Sequence, residues 1–167
     1  MKKILTGTVV SIALSAAVIF AEAPDSFHKD LLDRHNVLRE RHDAPSLKWS
    51  GEIQQWAQEW AEKIAGEDRM YHRQPNKYGE NIYWISGGKP EGASIVDAWY
   101  NEIKDYRFKR PGFSSQTGHF TQVVWKGSAE LGCGAARSRR GGLYVVCNYS
   151  PPGNYLGRFP ENVLPAK

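Results

Sequence analysis

Ile53, Trp56, Ala57, Trp60, Ala61 and Ile64 recur at i, i+3, i+4, i+7, i+8 and i+11, and only a helix puts all six side chains on one face. A stripe that wide has to be covered by a second layer of structure. Ser50 can cap the start of this helix, and Gly66 falls just past its end.

Other stretches supply candidates for that layer. From Ser26, a candidate N-cap, Phe27, Leu31, His35 and Leu38 keep helical spacing, which predicts a first helix with His35 near its apolar side. The polar stretch from Glu67 to Gly79, which contains His72 and Pro75, reads as a loop. Ile82 to Ile85 is a short aromatic and β-branched run, hence a strand, ended by Gly87, Gly88 and Pro90. A third helix is expected from about Ala93 to Tyr106, and a loop from Arg107 to Gln116. Leu131 to Ala136 and Leu143 to Ser150 read as antiparallel strands joined through Arg137 to Gly142. The tail from Pro151, rich in proline and glycine, is expected to wrap the surface without regular structure.

Two places in this layout raise a chemical question. Gly118 to Ser128, GHFTQVVWKGS, pairs His119 with Val123 and Phe120 with Val124 at i+4, so a helical turn would bring an imidazole inward beside apolar side chains. In the third helix, Ile95, Trp99, Ile103 and Tyr106 form one stripe, with Glu102 near its middle. An unpaired buried carboxylate costs several kcal/mol. Glu102 therefore calls for a proton donor, a metal or a path to water, and a nearby histidine would serve.

Composition limits the rest. With 41% hydrophobic and 12% aromatic residues, the 167-residue chain can bury the core of one domain and is not disordered. Lys2 and Lys3, the apolar run Ile4 to Phe20, and Ala21 and Ala23 follow the layout of a secretory signal peptide. Cleavage after Ala21 is expected, giving residues 1–21 as signal and 22–167 as a single domain. The mature chain is then secreted and extracellular, or periplasmic in a Gram-negative host. Losing residues 1–21 removes two lysines and no acid, which takes the formal charge from +4 to +2. That is too little for a nucleic-acid protein, and Arg137, Arg139 and Arg140 beside two glycines fit a solvated hairpin tip. Two cysteines in an exported chain suggest one disulfide, Cys133 to Cys147.

Taken together, GHFTQVVWKGS and YVVCNYSPPGNY, with HNVLR at His35, GENIY at Gly79 and WYNEIKDY at Trp99, closely resemble the ordered motifs of the CAP superfamily, named for cysteine-rich secretory proteins, antigen 5 and pathogenesis-related 1 proteins. The similarity runs from about Asp30 to Tyr155. It implies an α+β fold, the three-layer α-β-α sandwich of the CAP (SCP) domain. It also implies a central cavity lined by His72, Glu80, Glu102 and His119. Two histidines there could ligate Zn²⁺, with Glu80 and Glu102 nearby; no organic cofactor is expected. Many eukaryotic members carry three or more disulfides or a cysteine-rich module, and this chain has neither.

The resemblance favours a secreted binding protein whose partner is a sterol, a fatty acid, a membrane lipid or an extracellular protein in a host or defence interaction. The alternatives are a metal-dependent hydrolase using the same four residues, and a structural or signalling protein. Against the hydrolase, catalytic zinc usually has three protein ligands, and the chain has no HExxH pair. A GxSxG elbow is also missing.

Overall fold

In the computed structural model, residues 25–167 are described. The expected signal segment and its cleavage point lie outside the described residues. The elements are α1 (Ser26–Glu40), β1 (Lys48–Trp49), α2 (Gly51–Glu67), β2 (Gly79–Ser86), α3 (Gly92–Tyr100), α4 (Gly118–Val123), β3 (Glu130–Arg137), β4 (Gly142–Ser150) and α5 (Phe159–Asn162). A 3₁₀ turn, Asn101–Asp105, continues α3. The strands form one sheet in the order β1-β3-β4-β2, parallel between β1 and β3 and antiparallel elsewhere.

Strand β4 fixes the three layers. From Gly142 to Tyr149 every residue is buried, so both of its faces are covered and the usual apolar-polar alternation is missing. Leu143, Val145, Cys147 and Tyr149 join the core built by α1, α3 and α4, whereas Tyr144 and Val146 join Ala57, Trp60, Ala61 and Ile64 of α2. The sheet is thus the middle layer of an α-β-α sandwich, and the α2 stripe has found its cover. Helix α2 lies very close to β3. A Cβ on Gly132 would sit 2.1 Å from the Gln54 amide nitrogen, and one on Gly134 2.3 Å from Gln58 Cα. On the other face of β3, Cys133 lies directly opposite Cys147 in the register and is disulfide-bonded to it.

Several expected boundaries shift for local reasons. Asp25, not Ser26, caps α1, its carboxylate accepting from the His28 amide at 2.9 Å. Ser50 caps α2 as expected, but the helix runs through Gly66. It turns instead at Asp68, φ 51°, whose carboxylate accepts from the Tyr144 hydroxyl at 2.9 Å. Strand β2 starts at Gly79, three residues before Ile82, because β4 extends far enough to pair with it. The tail does hold a short helix, α5, where Phe159 packs edge-on against Trp125 at 5.2 Å.

The third helix differs most. Ile95, Val96 and Trp99 are buried as the stripe requires, but the α-helix ends at Tyr100, and the 3₁₀ turn that follows has no buried residue. The tighter turn rotates Glu102 out of the apolar stripe, so it stands at the edge of the core.

Candidate functional site

Glu80 enters the site from the second residue of β2, opposite Asn148 of β4. Its side chain is only 3% exposed, and four donors surround it. Oε1 accepts from His72 Nδ1 at 2.8 Å and from the Arg73 amide at 3.0 Å, and Oε2 from Asn76 Nδ2 at 3.0 Å and Asn148 Nδ2 at 3.2 Å. These four hydrogen bonds satisfy the buried carboxylate. The polar loop before β2 is held to α2 by Arg73. Its guanidinium lies 3.4 Å from the centre of the Trp56 ring and donates to the Trp56 carbonyl at 2.8 Å. That clamp fixes the residue next to His72.

Glu102 does two jobs from the 3₁₀ turn. Oε2 accepts from the His119 and Phe120 amides at 3.0 and 3.1 Å, capping the first turn of α4, while Oε1 binds His119 Nδ1 at 2.6 Å. The carboxylate that looked out of place on an apolar stripe is thus the missing cap of the next helix. Trp99 stacks nearly parallel to the His119 ring, 6.2 Å between centroids.

Two His-Glu pairs result. His72, Glu80 and His119 line one cleft of ≈ 190 Å³ together with Asn81, Phe113 and Asn154. Glu102 lies behind His119 and is not part of the cleft wall. Each imidazole uses Nδ1 on its carboxylate, and neither Nε2 has a protein partner among the described residues. Glu80 raises the pKa of His72 above its ordinary value by accepting from Nδ1, an effect that partial burial opposes. No group of three or more His, Cys, Asp or Glu is placed to share a metal ion among the described residues.

The supporting residues were harder to foresee. Asn154, at φ 60°, donates to the Gly118 carbonyl at 2.9 Å and accepts from the Thr121 hydroxyl at 2.6 Å, which ties the last loop to α4. Gln122 accepts from the Gly153 amide at 3.0 Å, and a Cβ on Gly79 would sit 2.2 Å from its Oε1. The only sequence signal for these contacts is the density of Asn, Gln and Gly in GHFTQ and NYSPPGN.

A mixed sandwich with paired His-Glu groups at one end of its sheet defines the class, and the comparisons supply the family. Residues 32–149 match the model of CAP, the cysteine-rich secretory protein family. The chain is 40% identical over 150 residues to Golgi-associated plant pathogenesis-related protein 1 of Homo sapiens, covering 87% of this chain and 97% of that one. It is 41% identical over 138 residues to the secreted protein RBT4 of Candida albicans, covering 81% of this chain and 37% of that longer protein. The crystal structure of NaASP2 with Zn²⁺ shares the fold at a TM-score of 0.68 and 23% identity, over 87% of this chain and 91% of that one. The chain belongs to the cysteine-rich secretory protein (CAP) family.

Proposed function

We propose that this is a secreted binding protein whose cleft holds a divalent metal, Zn²⁺, through His72 and His119, and which takes a sterol or a fatty acid as ligand. The observation that carries the metal reading is the use of both Nδ1 atoms on carboxylates. This fixes each tautomer and leaves Nε2 free, as in carboxylate-histidine-metal arrangements. The donor set fits the ion only partly. Two imidazoles leave the remaining coordination positions to water or ligand, one protein donor short of the usual catalytic zinc site. A bound ion would supply Lewis acidity there; the protein's own part is to orient two neutral rings. The lipid reading rests on family membership and on Phe113, a wall of the cleft that is 55% exposed. Secretion is supported by the signal-like leader and by the name of the Candida relative.

Metal must compete with protons for the imidazoles. Zinc affinity measured by calorimetry should therefore fall as pH drops through the raised His72 pKa, and His72→Ala combined with His119→Ala should abolish it. Unchanged affinity in the double variant would put the ion elsewhere. In a panel of sterols and fatty acids, we expect micromolar or weaker binding that His119→Ala leaves intact, because an apolar ligand does not need the imidazole. Absence of binding across the panel would remove the lipid assignment and leave the metal assignment standing.

A further inference from the structure

The two imidazoles of the cleft are placed by different means. His119 belongs to α4, with Glu102 accepting from the first amides of that helix and Trp99 stacked on the ring. His72 sits in a stretch without regular structure, and its side chain is 59% exposed. Among the described residues its ring bonds Glu80 alone. One such bond leaves the ring free to swing, so the backbone on either side has to be held if Nε2 is to stay in the cleft.

Helix α2 holds both flanks. Trp60 donates from Nε1 to the Tyr71 carbonyl at 3.0 Å, and the Tyr71 ring packs edge-on against it, 5.0 Å between centroids. One turn earlier, the Trp56 ring carries the Arg73 guanidinium at 3.4 Å, a stacking distance, and the Trp56 carbonyl accepts from it at 2.8 Å. The Arg73 side chain is largely covered, whereas its carboxylate partner Glu59 is exposed and stands at 3.5 Å, too loose a pair to fix it. The Arg73 amide donates to Glu80 Oε1, the same atom that receives His72 Nδ1. Arg73 therefore joins an indole on α2 to the carboxylate on β2, with His72 next to it in the chain. Only arginine suits this place. Its planar group can lie flat on the indole while an N–H reaches the carbonyl, which a lysine ammonium cannot do.

We propose that Arg73 is a positioning residue for the metal cleft: its stack on Trp56 keeps the His72 imidazole in the wall it shares with His119, a role that presupposes the metal reading of that cleft. The sign of the effect separates positioning from charge. Removing a cation beside the cleft favours a bound cation by Coulomb's law alone. Removing a positioning residue weakens it.

The test is calorimetric titration with Zn²⁺ of wild type, Arg73→Ala, Arg73→Lys and Lys77→Ala. Arg73→Ala should bind about tenfold or more weakly, as is usual when a group that orients a ligating histidine is lost. Arg73→Lys keeps the charge and should recover only part of that loss. Lys77, whose ammonium lies 5.0 Å from the centre of the Trp56 ring, is the control for charge, and Lys77→Ala should bind zinc as tightly as wild type or slightly more so. An Arg73→Ala variant as tight as wild type overturns the role. A fall as large in Lys77→Ala would mean a general loosening of the loop and overturns it too. A second readout needs no metal. In zinc-free wild type at alkaline pH, the imidazole nitrogen shifts of His72 should report one neutral tautomer, with its proton on Nδ1. In Arg73→Ala they should move toward those of a free ring exchanging between tautomers. The His119 shifts and the amide spectrum away from residues 71–78 should stay as in wild type, which separates a misplaced histidine from an unfolded protein. Wild type that takes up no zinc overturns the metal reading; unchanged His72 shifts in Arg73→Ala overturn the positioning role whether or not zinc binds.

Discussion

At the scale of single residues, Glu102 shows how a sequence anomaly can be real and its first explanation incomplete. The helical pattern flagged a carboxylate needing a partner, and His119 is that partner at 2.6 Å. The pattern could not show that α3 would tighten after Tyr100 into the 3₁₀ turn Asn101–Asp105. Nor could it show that the second oxygen would accept the His119 and Phe120 amides. Glu102→Ala removes a helix cap as well as the hydrogen bond to His119, so it should destabilise the fold by about 1–2 kcal/mol. Glu102→Gln keeps an acceptor and should cost less. Urea unfolding of both variants checks the order, and an alanine variant as stable as wild type would mean that the cap contributes nothing.

Among elements, the packing of α2 on β3 was legible in half. The six-residue apolar stripe announced the helix and its buried face, yet nothing announced that the helix would press on backbone. That contact rests on Gly132 and Gly134, which alternate with Cys133 and so point to the opposite face from the disulfide. Gly134→Ala would place a Cβ 2.3 Å from Gln58 Cα, and because that atom is backbone the helix itself would have to move. A loss of about 1–3 kcal/mol or more is expected from such overpacking. A Cβ on Gly66, in the same helix, would meet nothing within 4 Å, so Gly66→Ala should stabilise by about 0.5–1 kcal/mol through helix propensity alone. Opposite shifts in thermal midpoint are the expected signature, and a tolerated Gly134→Ala would show that the helix can slide. The elements that escaped the sequence, β1 and α5, span two and four residues, too short for any periodicity to register.

Across the whole molecule, the helical layer of α1 and α4 is tied to the sheet by polar groups buried deep in the core. Arg39, fully buried, donates from its guanidinium to the carbonyls of Pro45, Val123, Trp125 and Ser128, joining α1 to the segment after α4. His35, also at 0% exposure, starts a second line of contacts. Its Nδ1 faces the Leu31 carbonyl at 2.7 Å and must carry a proton, so neutral Nε2 accepts from the Tyr149 hydroxyl at 2.8 Å. Asn81 donates to that hydroxyl oxygen at 3.2 Å and to the His119 carbonyl at 3.1 Å, which links the core to the cleft. A proton on Nε2 would reverse the Tyr149 contact in a site that water does not reach. Burial lowers the His35 pKa to about 4, the positive charge of Arg39 adds to this, and the Leu31 carbonyl opposes it. The folded pKa therefore lies below the unfolded one. For a base, this means the stabilisation is complete above 6.5 and is lost as pH falls toward 4, a loss on the order of 3 kcal/mol. His72 slopes the other way: its raised pKa favours the folded state below 6.5, a contribution lost as pH rises through the folded value. Urea unfolding from pH 7 to 4 should show the His35 loss. In His35→Gln the absolute stability should be lower and the slope across that window flatter. Equal slopes in the two proteins, or an NMR titration of His35 near 6.5, would show that the buried imidazole is not what limits stability in acid.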